Sequence, residues 1–299
     1  MKKAAPWLII LSGVLWGTLG VSTRVLSGAG LTSMQIVIVR AWGTVLLLFP
    51  LLFLYNKELL RIRMKDLWCF LGTGVCSIVF FNCCYFKTMT LTSLSAAAVL
   101  LYTAPMIVVL LSAVLFGEKL TRRKLAAMVL AFAGCVLTTG VFRENGALSP
   151  LAIITGLGAG LGYALYSIFG RYALNRGYAP FTITAYTFLS AAVVLIPLAD
   201  PEEILQTVAS EKEYAAMAGY MIIFGTVAAY IVYTMGLSCV EAGKASILAS
   251  VEPVVATVTG MIAFGERLKA DGVLGMLLVM TAILFLNLPG KDCTQKNTI

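Results

Sequence analysis

Long runs of apolar residues, separated by short polar segments, extend along almost the whole chain. Each run has about 20 residues, the length that an α-helix needs to cross the roughly 30 Å hydrocarbon core of a bilayer. The pattern predicts ten membrane-spanning helices, at residues 7–27, 33–55, 67–87, 93–116, 123–142, 150–172, 180–199, 214–237, 244–264 and 271–289. Because the connections are short, consecutive helices are expected to lie side by side.

The composition agrees with this pattern. Of the 299 residues, 60% are hydrophobic and 12% are charged, whereas a soluble domain carries about 25% charged residues. A chain with so little charge cannot cover its surface for water, so the lipid bilayer is its expected environment.

The net charge of +8 could mark a nucleic-acid-binding protein, or it could come from basic loop residues that orient the spans in the membrane. Basic residues cluster between apolar runs, as in the segments 57–65 and 119–124, which favours the positive-inside rule over a nucleic-acid surface. With the N-terminus inside, 15 of the 22 Lys and Arg residues fall on the inner side, 6 fall on the outer side, and Arg40 falls within a span. We therefore expect a multi-pass protein of the cell membrane with both termini in the cytoplasm, and no nucleic-acid partner.

The residue types argue against a metal or cofactor site. The chain has seven cysteines without a CxxC pair and no histidine, so the usual zinc ligand sets are missing. The sequence also lacks the GxxxxGK[ST] loop that binds ATP phosphates. We expect no metal, no cofactor and no catalytic residues, and we interpret the cysteines as buried apolar side chains.

The two halves of the chain match each other. An offset of 148 pairs Tyr85 with Tyr233, Pro105 with Pro253 and the Phe-Gly-Glu tripeptide at 116–118 with that at 264–266, and an offset of 147 pairs Gly13 with Gly160 and Arg24 with Arg171. The unit contains five predicted spans, an odd number, so the second copy must enter the bilayer in the opposite orientation. The sequence therefore predicts an all-α polytopic membrane protein of ten transmembrane helices, made of two inverted five-helix repeats at residues 8–142 and 150–289.

These features resemble the EamA family of the drug/metabolite transporter superfamily. The resemblance rests on the span count, the duplicated proline, the Phe-Gly-Glu tripeptides and the early Trp16-Gly17 followed by Arg24, and it covers residues 8–288. The second half departs from the opening motif, since Tyr163-Ala164 stands there. The resemblance implies export or import of amino acids, related metabolites, nucleotide precursors or drugs.

The paired prolines are the first candidates for a substrate pathway. Pro105 and Pro253 fall about halfway along their predicted spans, where proline frees the carbonyl four residues earlier, at Leu101 and Ala249. In a bilayer such a carbonyl must find a partner, which could be a side chain, a water-filled cavity or a substrate. We predict a symmetric pair of helix kinks beside a central pathway, with simple packing kinks as the alternative.

Two charged residues within spans are further candidates. Glu252 lies near the bilayer centre and matches Ala104 in the first half, so it could bind a substrate amine, carry a proton, or serve as a protonated structural group. Arg40 could attract a carboxylate or pair with Glu252, or its long stem could reach the outer interface.

Polar and aromatic groups complete the predicted pathway. Trp16, Tyr102 and Tyr163 are expected to line an amphiphilic pocket, because a Tyr or Trp deep in a bilayer needs a hydrogen-bond partner. Asn82, a polar residue within a span, is included in the same predicted pathway. Glu118 and Glu266 are expected to fix tight turns between helices, each after a helix-ending glycine.

The sequence thus predicts a secondary transporter that moves a small metabolite, an amino acid or derivative or a drug-like amphiphile, by alternating access. The alternatives are an intramembrane enzyme acting on lipid-linked substrates and a channel. An enzyme would need concentrated catalytic groups, whereas the outer acidic residues are dispersed over the segment 200–213, an expected interfacial helix. A channel would need a charged or carbonyl-rich filter, and none is apparent. Besides substrate and bilayer, protons are a candidate partner as coupling ion through Glu252, and oligomeric state is not predicted.

Overall fold

The computed structural model describes residues 3–139, 141, 148–265 and 270–287, and these ranges contain helices joined by short connections. In chain order the α-helices are α1 Ala5–Gly17, α2 Leu19–Gly28, α3 Ser33–Tyr55, α4 Leu67–Leu71, α5 Phe80–Leu91, α6 Leu94–Leu101, α7 Ala104–Phe116, α8 Arg122–Thr139, α9 Pro150–Asn175, α10 Pro180–Val194, α11 Pro201–Ser210, α12 Lys212–Ile222, α13 Ala229–Leu237, α14 Ala242–Ala249, α15 Glu252–Phe264 and α16 Ala270–Asn287. The described residues contain no strand, so the predicted all-α fold class is confirmed.

Most of the predicted spans appear as long apolar helices. Within the described ranges, eight helical stretches are long and apolar enough to cross a membrane. The fifth and seventh predicted spans correspond to α8, which begins with three basic residues, and to α10, which has 15 residues. The count of ten spans therefore remains a prediction.

The fourth and ninth spans are each interrupted for two residues just before the proline, in agreement with the predicted helix kinks. The residues at each interruption keep φ and ψ close to helical values, so each span remains one helical stretch of 23 residues. α6 ends at Leu101 and α7 begins at Ala104, while α14 ends at Ala249 and α15 begins at Glu252. Each proline lies in the first turn of the new helix, where a missing N–H leaves no hydrogen bond unmade. Both interruptions therefore lie near the middle of their spans.

The third and eighth spans share another irregularity. A π-helical segment at Gly72–Val79 joins α4 to α5, and one at Ile223–Ala228 joins α12 to α13. π-Helical turns locally widen a helix and are frequent at functional sites. Their matched positions show that the duplication extends to backbone irregularities.

The halves contact each other in the same way in both directions. α5 packs on α9 of the second half, and α13 packs on α1 of the first. A Cβ on Gly13 would lie 3.0 Å from the carbonyl oxygen of Ala249, and a Cβ on Gly160 would lie 3.4 Å from that of Leu101. The two carbonyls singled out by the prolines therefore lie against the matched glycines of the opposite half.

The connection after α10 contains a helix, as expected from its capping residues. α11 covers Pro201–Ser210, and Asp200 caps it by accepting a hydrogen bond of 3.1 Å from the backbone of Glu203. A second contact ties α11 to the first half, since Gln35 donates to Glu203 at 2.5 Å.

Candidate functional site

The site is centred on Glu252, the first residue of α15. The interruption in the ninth span places its carboxylate at the N-terminal end of a helix, where the helix dipole favours negative charge. Tyr163 of α9 donates a hydrogen bond of 2.9 Å to Glu252 Oε2. The other carboxylate oxygen, Oε1, accepts no hydrogen bond from the described residues.

A cavity of about 20 Å³ lies beside this carboxylate. Both halves of the chain form its wall, which consists of Leu101, Tyr102, Ala104, Pro105, Tyr163, Ser246, Ala249, Ser250 and Glu252. Such a volume accommodates about one water molecule. Both interruptions meet at this cavity.

A second cavity of about 20 Å³ also borders Tyr163. Its wall consists of Trp16, Ser77, Ile78, Phe81, Tyr163, Tyr166, Ser167, Tyr230 and Tyr233. The ring of Trp16 lies 5.1 Å from that of Tyr230 and 5.2 Å from that of Tyr233, measured between centroids. We call this second space the aromatic cavity and the first one the carboxylate cavity.

The indole N–H of Trp16 is buried and has no hydrogen-bond partner among the described residues. By contrast, the phenols around it are satisfied: Tyr233 shares a hydrogen bond of 2.7 Å with Ser167, and Tyr166 shares one of 2.8 Å with Thr234. Buried donors are nearly always paired in native proteins, so this one calls for an explanation.

Arg40 turns into the protein rather than out to the interface. Its Nε donates a hydrogen bond of 3.1 Å to Thr226, in the π-helical segment of the eighth span, and its guanidinium also interacts with Tyr230. Within the described ranges it forms no ion pair with Glu252 closer than 4.0 Å. The carboxylate is thus left without a bound cation.

Some predicted pathway residues lie away from the cavities. Asn82 donates to the carbonyl of Ile78 at 2.7 Å within its own helical span, and it lines neither cavity. Pro253 is buried and does not line them either, whereas Pro105 does. The cavities bring together Trp16, Tyr102, Pro105, Tyr163 and Glu252 from the predicted set.

Several wall residues were missed in the sequence. Ser246 and Ser250 lie on the carboxylate cavity and Ser167 on the aromatic one. Serine is common within membrane helices as a packing residue, so nothing in its spacing marked these three. Tyr233, which the repeat pairs with Tyr85, also lines the aromatic cavity.

A polar network closes one end of the bundle, and it corrects the expected role of Glu118. Instead of only fixing a turn, Glu118 reaches the second half and accepts hydrogen bonds from the backbone of Ala242 at 2.6 Å and Gly243 at 3.0 Å. It thereby caps the N-terminus of α14. Lys124, nearly buried, bridges Glu118 at 3.3 Å and Glu241 at 2.8 Å.

We call these contacts the Glu118 lock. Its counterpart at the opposite end would involve Glu266, which lies outside the described residues. Gly117 and Gly265, which precede the two glutamates, both have φ of +66°, as expected for helix-ending glycines.

Comparison with known proteins gives one consistent result. The profile of the EamA-like transporter family matches the chain twice, at residues 3–140 and 150–288. An uncharacterized transporter of Archaeoglobus fulgidus is 26% identical over 288 residues, covering 95% of this chain and 98% of that protein. The uncharacterized inner membrane transporter YicL of Salmonella typhimurium is 20% identical and covers 95% of each chain.

A solved crystal structure has the same fold. It superposes with a TM-score of 0.79 over 96% of this chain and 98% of that one, at 17% sequence identity. At this identity the likeness concerns the fold alone.

Proposed function

Because the chain belongs to the EamA-like transporter family, and is thus a multi-pass membrane transporter rather than an enzyme, we propose that it works as a carrier. In this proposal the two matched regions are inverted five-span units that expose one central site to each side of the membrane in turn. The substrate is a small metabolite, an amino acid derivative or a drug-like amphiphile. The orientation that fits the basic residues has both termini in the cytoplasm.

The observation that carries the proposal is the position of Glu252. It lies at the start of the helix that follows the interruption in the ninth span, beside a cavity whose wall comes from both halves. Discontinuous helices whose ends face a midplane site are typical of secondary transporters. A channel would instead be expected to provide a continuous polar pore.

The size of the cavities favours a contracted state. Each has room for about one water molecule, so a metabolite can enter only if helices move apart. The Glu118 lock joins the halves at one end by hydrogen bonds and ion pairs, and these are contacts that can break and re-form. Opening and closing of such contacts is what alternating access requires.

Protons are a candidate coupling ion in this proposal. A carboxylate inside a membrane is costly. Binding of a proton or of a substrate cation to Glu252 would lower that cost. The other titratable groups around it are Tyr85, Tyr102, Tyr163, Tyr230 and Cys135. Arg40 is the charged residue that faces the same region.

The test begins with a screen of solutes for thermal stabilisation of the purified protein, since binding to the folded state raises the melting temperature. A solute that binds is then assayed for counterflow in proteoliposomes. A carrier gives saturable uptake that is accelerated by unlabelled solute on the opposite side. Uptake that rises linearly with concentration, without counterflow, contradicts the proposal and supports a channel.

The role of Glu252 is tested in the same vesicles. Glu252→Gln is expected to lower counterflow by at least tenfold or to abolish its dependence on pH. Glu211→Gln, the same change at an exposed position in the α11–α12 connection, is expected to leave both unchanged. If folded Glu252→Gln protein transported like the wild type at every pH, Glu252 would have no part in transport.

A further inference from the structure

We propose that the central site takes an organic cation: a small amine whose ammonium group lies on Glu252 and whose apolar body lies in the aromatic cavity. This inference rests on the proposed carrier function, because it names the chemistry of the molecule that is carried. It depends on three observations, which concern charge, aromatic rings and one unpartnered donor.

The charge that lines the two cavities is negative. Glu252 is the one charged side chain among the described residues that line either cavity. Its Oε1 accepts no hydrogen bond from the described part of the chain, and Arg40, which faces the same region, donates its hydrogen bond to Thr226 and not to Glu252. A carboxylate that is removed from water without a bound cation gains most from a ligand that brings a positive charge and N–H donors.

The same charge disfavours other ligands. A phosphate or a dicarboxylate would meet Glu252 with the same sign of charge, and neither cavity is lined by Lys or Arg among the described residues. A zwitterionic amino acid could place its ammonium group on Glu252, but its carboxylate would lack a cationic partner in either wall. An amine without a carboxylate fits both conditions.

The aromatic rings suit such an amine. Measured between ring centroids, Tyr230 lies 5.1 Å, Tyr233 5.2 Å and Tyr163 6.3 Å from Trp16. Ring faces attract cations and also bind apolar groups. Tyr163 borders both cavities and holds Glu252 through its hydroxyl, so rotation of this one ring would join the two spaces.

The unpartnered donor is the indole N–H of Trp16. It is buried without a hydrogen-bond partner among the described residues, and an indole nitrogen can only donate. Trp16 lines the aromatic cavity, which Tyr163 also borders. A ligand that carries a hydroxyl or carbonyl oxygen at the end away from its amine would satisfy this donor.

The experiment compares four probes that share one aromatic body: tyramine, its neutral analogue tyrosol, the zwitterion tyrosine, and phenethylamine, which lacks the distal hydroxyl. Affinities are measured by calorimetry on the purified full-length protein at pH 7.5. We expect tyramine to bind at least tenfold more tightly than tyrosol or tyrosine. Equal binding of tyrosol, tighter binding of tyrosine, or absence of tyramine binding would overturn the inference without any variant.

Variants assign the effect to the two residues. Glu252→Gln is expected to weaken tyramine at least tenfold and to leave tyrosol unchanged, whereas Glu211→Gln changes neither. Trp16→Phe is expected to weaken tyramine severalfold and to leave phenethylamine unchanged, with Trp7→Phe, an exposed position, as the matched control. Unchanged tyramine binding to Glu252→Gln protein would exclude the proposed contact.

Counterflow separates this inference from the carrier proposal. If the protein exchanges a neutral or anionic solute and does not bind tyramine, the organic-cation site is wrong and the carrier stands. If tyramine binds in the expected order but shows no counterflow, the carrier proposal is wrong and the site chemistry stands.

Discussion

Glu118 Oε1 lies 2.6 Å from the backbone nitrogen of Ala242, the first residue of α14. This hydrogen bond joins the end of the fourth span to the start of the ninth, and thus one half of the protein to the other. A carboxylate at a helix N-terminus is stabilised by the helix dipole as well as by the hydrogen bond. The glutamate of the first Phe-Gly-Glu tripeptide therefore connects the two halves of the protein.

Weakening this tie should open one end of the bundle. Glu118→Gln removes the negative charge from the cap and from the bridge to Lys124. We expect a cysteine placed at Ser246, which is buried on the carboxylate cavity, to react severalfold faster with a membrane-impermeant maleimide in this variant. Glu211→Gln serves as the control, and an unchanged labelling rate would show that the Glu118 lock does not limit access.

Gly13 is packed so closely that a side chain at this position should destabilise the protein. A Cβ there would meet Val251 Cγ1 at 2.5 Å and the carbonyl oxygen of Ala249 at 3.0 Å, whereas a Cβ on Gly20 would meet nothing within 4 Å. Overpacking of this kind costs about 1–3 kcal/mol. Gly13→Ala should therefore lower the melting temperature by several degrees, and Gly20→Ala should leave it unchanged or raise it slightly. Equal melting temperatures for the two variants would contradict the packing described here.

Asp66 should contribute far more to stability than a surface acid of the same loop. Its side chain is 1% exposed and forms ion pairs with Arg63 at 2.8 Å and with Arg176, while Tyr178 donates to it at 2.8 Å. Removing the carboxylate charge would leave the two arginines without their ion pairs and weaken the hydrogen bond from Tyr178. Asp66→Asn is thus expected to lower the melting temperature markedly.

The matched control for Asp66 is Glu58. Its side chain forms an ion pair with Arg61 and is 66% exposed. Such surface pairs contribute about 0–1 kcal/mol, so Glu58→Gln should have little effect. A small effect of Asp66→Asn, comparable to that of Glu58→Gln, would show that the network around Asp66 is replaceable.

The sequence predicted the fold through features with strong periodic or duplicated signals. Hydropathy predicted the spans because a helix that crosses a bilayer must be long and apolar. Asp200 predicted the start of α11 because aspartate is a favoured N-cap residue. The prolines predicted the two irregular positions, because a missing N–H and the ring clash interrupt the helical hydrogen bonds. The sequence could not show that Pro105 and Pro253 each lie in the first turn of the helix that follows the interruption.

The site was predictable in part for similar reasons. Glu252 and Tyr163 stood out as polar groups in apolar surroundings, and the structure brings them into contact. Asn82 is also a polar residue in an apolar segment, but its side chain donates a hydrogen bond to the carbonyl of Ile78 in its own span. Composition does not show which partner such a side chain has. The reach of Glu118 to Ala242 joins residues 124 positions apart, so no local pattern contains it.

The central claim is that the two ends of the bundle open in alternation about the site at Glu252. Double electron–electron resonance tests it with one label pair at the lock end, Leu120 with Ser238, and one at the other end, Ser27 with Phe264, in protein without its native cysteines. Distances are measured in lipid nanodiscs with and without a transported solute. The account predicts that solute shifts the two distance distributions in opposite directions, one pair separating as the other approaches. Distances that rise or fall together, or that never change while counterflow proceeds, would contradict it.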